Sequence, residues 1–177
     1  MTRLALQDFA AIDFEASSLS AESWPVEIGL SWIDAEGAPQ SWSSLIRPHE
    51  SWILGDWSES SAAVHGIALA DLSAAPPAEA VARESLQIIG HRNLVSDAPE
   101  FEIRWIDRLF ALLGLGGRLS CYDFDAVSAE LFPGPALDHV YERLERLKSP
   151  HRAGPDSLRL VKAWVHGQRH CDDPPAP

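Results

Sequence analysis

Residues 10–19, AAIDFEASSL, open the chain with an apolar run that carries two acids, Asp13 and Glu15, at alternate positions. Side chains alternate along a strand, so both acids project from one face and Ile12 and Phe14 from the other. Residues 16–25 are turn-rich and close at Pro25, after which 26–34 alternate as a second strand and Glu36-Gly37 supply a turn. Residues 41–48 read as a third strand ended by Pro48. The links between these three are too short for a helical crossover, which predicts an antiparallel meander.

Residues 49–76 look irregular, with a short helical signal at Ser61 to His65 ended by Gly66. From Pro77 to Ile89 the apolar positions recur at helical spacing, and a short strand at 93–96 follows Gly90. A helix is predicted over Pro99 to Leu113, with Phe101, Trp105, Leu109 and Leu112 on one stripe, then a strand at 119–124 and a short helix at Asp125 to Leu131. Pro133-Gly134-Pro135 break the chain before a helix from Ala136 to Lys148, and a last helix runs from about Pro155 to His166. The tail, 170–177, is expected to fray. Three strands followed by helix-strand alternation predict an α/β fold: one mixed five-stranded sheet flanked by helices. No repeat, low-complexity block or boundary interrupts it, so residues 1–177 are expected to form a single domain with its core at about 8–165.

Composition narrows the function. Of 177 residues, 46% are hydrophobic and 23% charged, which fits a globular protein rather than a disordered one. Net charge is 14 − 26 = −12, the wrong sign for gripping long duplex nucleic acid through many phosphates. It remains compatible with a short strand end or small nucleotide substrate, above all where carboxylates hold metal. Cys121 and Cys171 make neither a disulfide framework nor a metal motif, and Cys121 reads as a small core residue. The N-terminus lacks the long apolar core of a signal peptide and no run is long enough to span a membrane, which makes the cytoplasm the default.

Three groups of residues carry candidate chemistry. Two like charges on a buried strand face are costly, and a divalent cation removes the penalty; oxygen-only ligands favour Mg²⁺ or Mn²⁺ over zinc. The alternative is a half-exposed strand with Asp13 and Glu15 in solvent. Near the C-terminus, HRAGPD (151–156) places His151 in a loop and Asp156 just inside a helix start, where positive potential favours an ionised acid. A histidine titrating near neutrality there can take a proton from water; the alternative is a capping turn with a surface histidine. Between them, SDAPEFEIRWI (96–106) offers Asp97, Glu100 and Glu102 at a strand end running into a helix, where functional groups of open sheets converge, or where acids simply stabilise a helix start. Trp42, Trp52 and Trp57 either stack on bases or pack in the core.

The order D-x-E, an acid opening a mid-chain helix, and H-x-A-x-x-D resembles the DEDDh family of 3′–5′ exonucleases, which includes ribonuclease T, oligoribonuclease and polymerase proofreading subunits. DFE is Asp13 to Glu15 and HRAGPD is His151 to Asp156; AVHGIALADL (63–72) is similar to the family's His-Gly-Ile turn. The resemblance covers about residues 8–165 and implies a ribonuclease H-like fold, two divalent ions (Mg²⁺ or Mn²⁺), and hydrolysis of terminal phosphodiesters to nucleoside 5′-monophosphates. It further implies metal ligation by Asp13, Glu15, Asp156 and a middle acid, with His151 as general base. Where the family carries an aspartate this chain has Glu102, with Asp97 as its rival. The resemblance also sets Ser17, Ser18 and Leu19 against the terminal nucleotide, with Trp24 either a second wall or a core residue beside Pro25. The implied partner is a single-stranded RNA or DNA 3′ end or a short oligonucleotide, and a homodimer is known among relatives. Two other readings compete: a nucleic-acid-binding module of the same fold that has lost turnover, and a structural α/β domain with solvated acids.

Overall fold

The computed structural model describes residues 4–171. Its sheet has the strand order β3-β2-β1-β4-β5, with β1 Phe9–Ala16, β2 Pro25–Ile33, β3 Pro39–Leu45, β4 Asn93–Ser96 and β5 Cys121–Asp123. β1, β2 and β3 pair antiparallel as the short links require, while β4 and β5 join on the other side of β1 in parallel. Among the described residues six α-helices complete the fold: α1 Glu59–His65, α2 Ala78–Ile89, α3 Pro99–Ala111, α4 Phe124–Leu131, α5 Pro135–Arg146 and α6 Ala153–Gln168. This is the mixed, helix-flanked five-stranded sheet that the pattern predicts.

β1 is central and covered on both faces, which explains its nearly continuous apolar run. Ala10, Ile12 and Phe14 pack with Val26, Ile28 and Leu30 of β2 against α2 and α3, through Val81, Ala82, Trp105, Ile106, Leu109 and Phe110. The opposite row, Phe9 and Ala11, packs with Ile33 and Val95 against Phe124, Val140, Leu160, Val161 and Trp164. Asp13 and Glu15 continue that second row toward the strand's C-terminal end, so they lie beneath α6 rather than on an open, solvated face. The polar row of this alternation is roofed by a helix that one strand's pattern cannot reveal.

Several boundaries differ from the sequence reading. β3 starts at Pro39 and ends at Leu45, although Ile46 still donates its N–H to the Val26 carbonyl. The irregular stretch holds a longer α1 and a six-residue 3-10 helix, Leu69–Ala74. α6 begins at Ala153, with Arg152 as N-cap, which puts Pro155 in the first turn and Asp156 at its end. Of the tail expected to fray, His170 and Cys171 make a hydrogen-bonded turn onto Gly167 and Gln168, and 172–177 lie outside the described residues. Cys121 is half-buried and packs against the core cluster. Among the described residues no helix is long and apolar enough to cross a membrane.

Candidate active site

The C-terminal ends of β1 and β4 point the same way because the two strands are parallel, and the N-termini of α3 and α6 meet them there. α6 sits unusually close to the sheet at this end. Beneath its first turns the sheet presents Gly29, Ser31, Ser41 and Ser43, all small, and a Cβ on Gly29 would overlap the Ala153 carbonyl. Gly29 is the register partner of Asp13, so the residue that lets the helix approach lies beside the acid that the helix covers.

An ion pair with a buried carboxylate pins the helix in place. Glu27, the register partner of Glu15, is 3% exposed and its carboxylate accepts from Arg152 Nε at 2.9 Å, Arg152 Nη2 at 2.7 Å and the Ala153 N–H at 3.0 Å. The fork geometry of guanidinium suits such a two-point grip. Asp156 in turn accepts the Arg152 N–H at 3.0 Å through Oδ2. Its other oxygen, Oδ1, is buried without a hydrogen-bond partner and lies 4.0 Å from Arg159 Nε, one turn along the helix.

The result is that Asp13, Glu15 and Asp156 offer one carboxylate oxygen each within 4.8 Å of one another. The electrostatic consequence is large. Burial first, then Glu15, Asp156 and Asp97, push Asp13 well above the carboxylate range, with Arg159 the opposing influence. Burial, then Asp156 and Glu27, raise Glu15 from 4.5 to about 7, against Arg152. Glu102, 4% exposed on α3, is also pushed well up by burial and then by Asp13, Asp97 and Glu15, while the Phe14 backbone N–H favours its ionised form. Its Oε2 is buried without a partner. Orphaned carboxylate oxygens beside a mutually repelling acid cluster are what a divalent cation would satisfy, so the donors present fit a hard metal.

The candidates therefore separate. Asp13, Glu15 and Asp156 come together. Glu102 stands behind them, outside that 4.8 Å group but electrostatically joined to Asp13. Its rival Asp97 is exposed and ion-paired at 2.9 Å to Arg159, which also lies 4.0 Å from Asp156, and its charge still raises Asp13 and Glu102. His151 is an exposed loop residue at φ 55°, the one non-glycine residue with positive φ among those described. Glu100 is exposed in the first turn of α3.

The nucleotide-facing set requires correction. Trp24 is 0% exposed: it stacks on Trp52 at 6.2 Å, tilts against Trp57 at 5.8 Å, and donates Nε1–H to the Ile53 carbonyl, so it is core and not a wall. Ser17 is buried too, its hydroxyl accepting the Trp24 N–H at 3.0 Å. Ser18 Oγ donates to Asp56 at 2.6 Å, and Ser20 donates to the same carboxylate, tying this loop to residues 53–57. Leu19 is what remains for a ligand: it is 71% exposed, and Ile53 and Leu54 on the tied loop are exposed as well. Trp52 is buried, and Trp42 and Trp57 pack partly buried against the core. His65, in the His-Gly-Ile turn, is buried and accepts the Ile67 N–H at 3.1 Å, a structural role.

Sequence reasoning missed Glu27, Arg152, Gly29 and Arg159. A signal for Glu27 existed: an acid between Val26 and Ile28 on a strand facing β1 has to find a cation. Its partner, an arginine in the HRAGPD segment, was hidden only by attention to the histidine and aspartate around it.

No family model matches the sequence, and no curated protein matches it. Solved structures do resemble it. Escherichia coli Exonuclease I in complex with a dA16 oligonucleotide superposes with a TM-score of 0.63 at 13% identity, over 89% of this chain and 40% of the other. A full-length 3′-exonuclease gives 0.65 at 14% identity over 93% and 61%, and a 3′-exonuclease described with histone mRNA stem-loop recognition gives 0.64 at 13% over 93% and 63%. The chain thus spans about two fifths to under two thirds of the proteins it resembles. At such identities the likeness establishes architecture: the chain has the ribonuclease H-like fold of the DEDD-type exonucleases.

Proposed function

We propose that this protein is a metal-dependent 3′–5′ exonuclease that removes nucleotides from the end of single-stranded RNA or DNA, or from short oligonucleotides. The observation that carries the reading is the convergence of Asp13, Glu15 and Asp156 within 4.8 Å, roofed by α6 and backed by buried Glu102. Acids crowded together at this electrostatic cost call for a bound cation, and the fold is shared with nucleases.

In this reading Asp13, Glu15 and Asp156 hold divalent ions, with Glu102 as the fourth acid, brought forward by the extra methylene of glutamate. Bound Mg²⁺ or Mn²⁺ would supply the positive charge that an acidic protein lacks at a scissile phosphodiester, activating water and steadying the leaving 3′ oxygen. The chain's own residues do the rest. The Glu27–Arg152 grip fixes the N-terminus of α6 and hence Asp156. Exposed Leu19 lies against the terminal base, on a loop stiffened by the Ser18 and Ser20 bonds to Asp56. His151, four residues before Pro155 and next to the gripped Arg152, reaches in from the loop and takes a proton from the attacking water. Arg159 pairs with Asp97 and tempers the charge of the cluster.

The test is digestion of 5′-labelled single-stranded RNA and DNA with Mg²⁺, Mn²⁺ or EDTA, beside an Asp13→Asn control. A metal-dependent ladder of shortened 5′-labelled products, absent from the control, is the expected result and reports sugar preference. Absence of cleavage by folded protein with either metal overturns the reading and favours a binding module that has lost turnover.

A further inference from the structure

At the other end of α6, roughly 15 Å from Asp156 by helical rise, three histidines gather. His166 lies in the last turn of α6, His170 follows four residues later in the turn that continues it, and His139 projects from α5. Residues four apart share a helix face. What brings His139 to that face is a close helix contact: a Cβ on Gly167 would overlap Val140 Cγ2, so the glycine fixes the approach of α5 and α6 and sets their neighbours, His166 and His139, side by side.

The geometry is that of a ligand set. One nitrogen from each ring lies within 4.8 Å of the others. Ring centroids are 4.1 Å apart for His139 and His170, 4.9 Å for His166 and His170, and 6.0 Å for His139 and His166. Three imidazoles on a tetrahedral ion with bonds of about 2.0–2.1 Å space their centroids by about 5 Å. All three are half-buried, which leaves a coordination position open to water. Glu142 lies 3.7 Å from His139 Nδ1, on the side from which a carboxylate orients a ligating imidazole and leaves Nε2 to the metal. The end of α6 is also its negative pole, which favours a cation. Arg146 also pairs with Glu142, at 3.7 Å.

We propose that His139, His166 and His170 form a second metal centre, separate from the carboxylate cluster, which takes a borderline transition ion of the Zn²⁺ class and clips the C-terminal turn of α6 to α5. Imidazole donors suit Zn²⁺, Ni²⁺ or Co²⁺ and discriminate against Mg²⁺, so the two centres differ in the ions they take. The site rests on two packed helices and is independent of the exonuclease reading.

Co²⁺ is the probe, titrated into the metal-free full chain under excess Mg²⁺ that fills oxygen sites. Nitrogen-rich, tetrahedral cobalt absorbs strongly in the visible, whereas octahedral oxygen-bound cobalt absorbs weakly. The expected result is an intense band saturating at one equivalent, displaced by Zn²⁺, unchanged in Asp13→Asn, and weakened at least tenfold in affinity in both His139→Gln and His170→Gln. Circular dichroism and metal-free thermal unfolding of the variants establish that each is folded. Zn²⁺ should also raise the unfolding midpoint of the parent chain and not of His139→Gln. Absence of an intense band, or a band that both histidine variants retain undiminished, overturns the proposal. A loss of exonuclease activity in Asp13→Asn with the band intact bears only on the other centre.

Discussion

Replacing Glu15 by glutamine should make the metal-free protein more stable while abolishing turnover. Burial and neighbouring acids raise Glu15 from 4.5 to about 7 in the folded chain. A carboxyl group raised in this way binds its proton more tightly folded than unfolded. Between those two values the native state holds more protons, so stability falls as pH rises. The penalty is absent below 4.5, grows across the interval and is complete above about 7. At about 1.4 kcal/mol per unit it amounts to about 3 kcal/mol, and solvent screening of a half-exposed side chain reduces it to about 2 kcal/mol. Glutamine keeps the shape and discards the charge. Urea unfolding in EDTA at pH 4.5 and pH 8 measures the effect. Glu15→Gln should match the parent at the lower pH and unfold about 1 M later at the higher one, for a slope of about 2 kcal/mol per M. Saturating Mn²⁺ should stabilise the parent more than the variant and close the gap. Equal midpoints at pH 8, or a gain of the same size at pH 4.5, would refute the claim that the cluster is strained by charge.

Gly29→Ala should push α6 off the sheet at Ala153, costing roughly 1–3 kcal/mol of stability and most of the turnover, as thermal unfolding and the labelled-strand assay would register. Arg152→Ala leaves the Glu27 carboxylate buried with the Ala153 N–H as its remaining partner; a loss of roughly 2–3 kcal/mol is expected in urea unfolding, larger than for Arg146→Ala on the exposed pair with Glu142. Glu102→Gln should lower Mn²⁺ affinity in calorimetry with little change in fold, whereas Asp97→Asn, which frees Arg159, should change affinity far less; equal effects would return Asp97 to the ligand set. Leu19→Ala should raise KM for oligonucleotides and spare kcat and stability, because the side chain is solvent-exposed in the free protein.

Much of the sheet was legible because local rules decide it. The short links around Glu36-Gly37 leave β2 and β3 no choice but antiparallel pairing, and the stripe of Phe101, Trp105, Leu109 and Leu112 announces α3, although of these Phe101 is exposed and Trp105 and Leu109 are the buried ones. The acids were legible as types: a D-x-E on an apolar strand and an acid at a helix start each ask for compensation. What pattern could not give was which of them meet. Asp97 and Glu102 lie in one segment and differ in fate through Arg159, a residue more than fifty positions away. Trp24 and Ser17 sit beside the site in sequence but face the opposite layer, since a turn between two strands offers no periodicity from which to read a face. The three-histidine group was invisible for the same reason: His139 is brought to His166 by the packing of Gly167 on Val140, a contact between helices.

The adjacency of His151 and Arg152 divides labour within two residues. Arg152 is moored to the sheet by Glu27, and its own N–H holds Asp156. His151, one bond earlier, is exposed, and its left-handed backbone turns the chain just ahead of the mooring. The mooring isolates α6 from the loop ahead of it, so a change in that loop reaches His151 before it reaches Asp156. Under the proposed function, insertion or removal of a residue before His151 would displace the imidazole and leave Asp156 anchored, a separation that evolution or design could use to retain strand-end binding while silencing the cut.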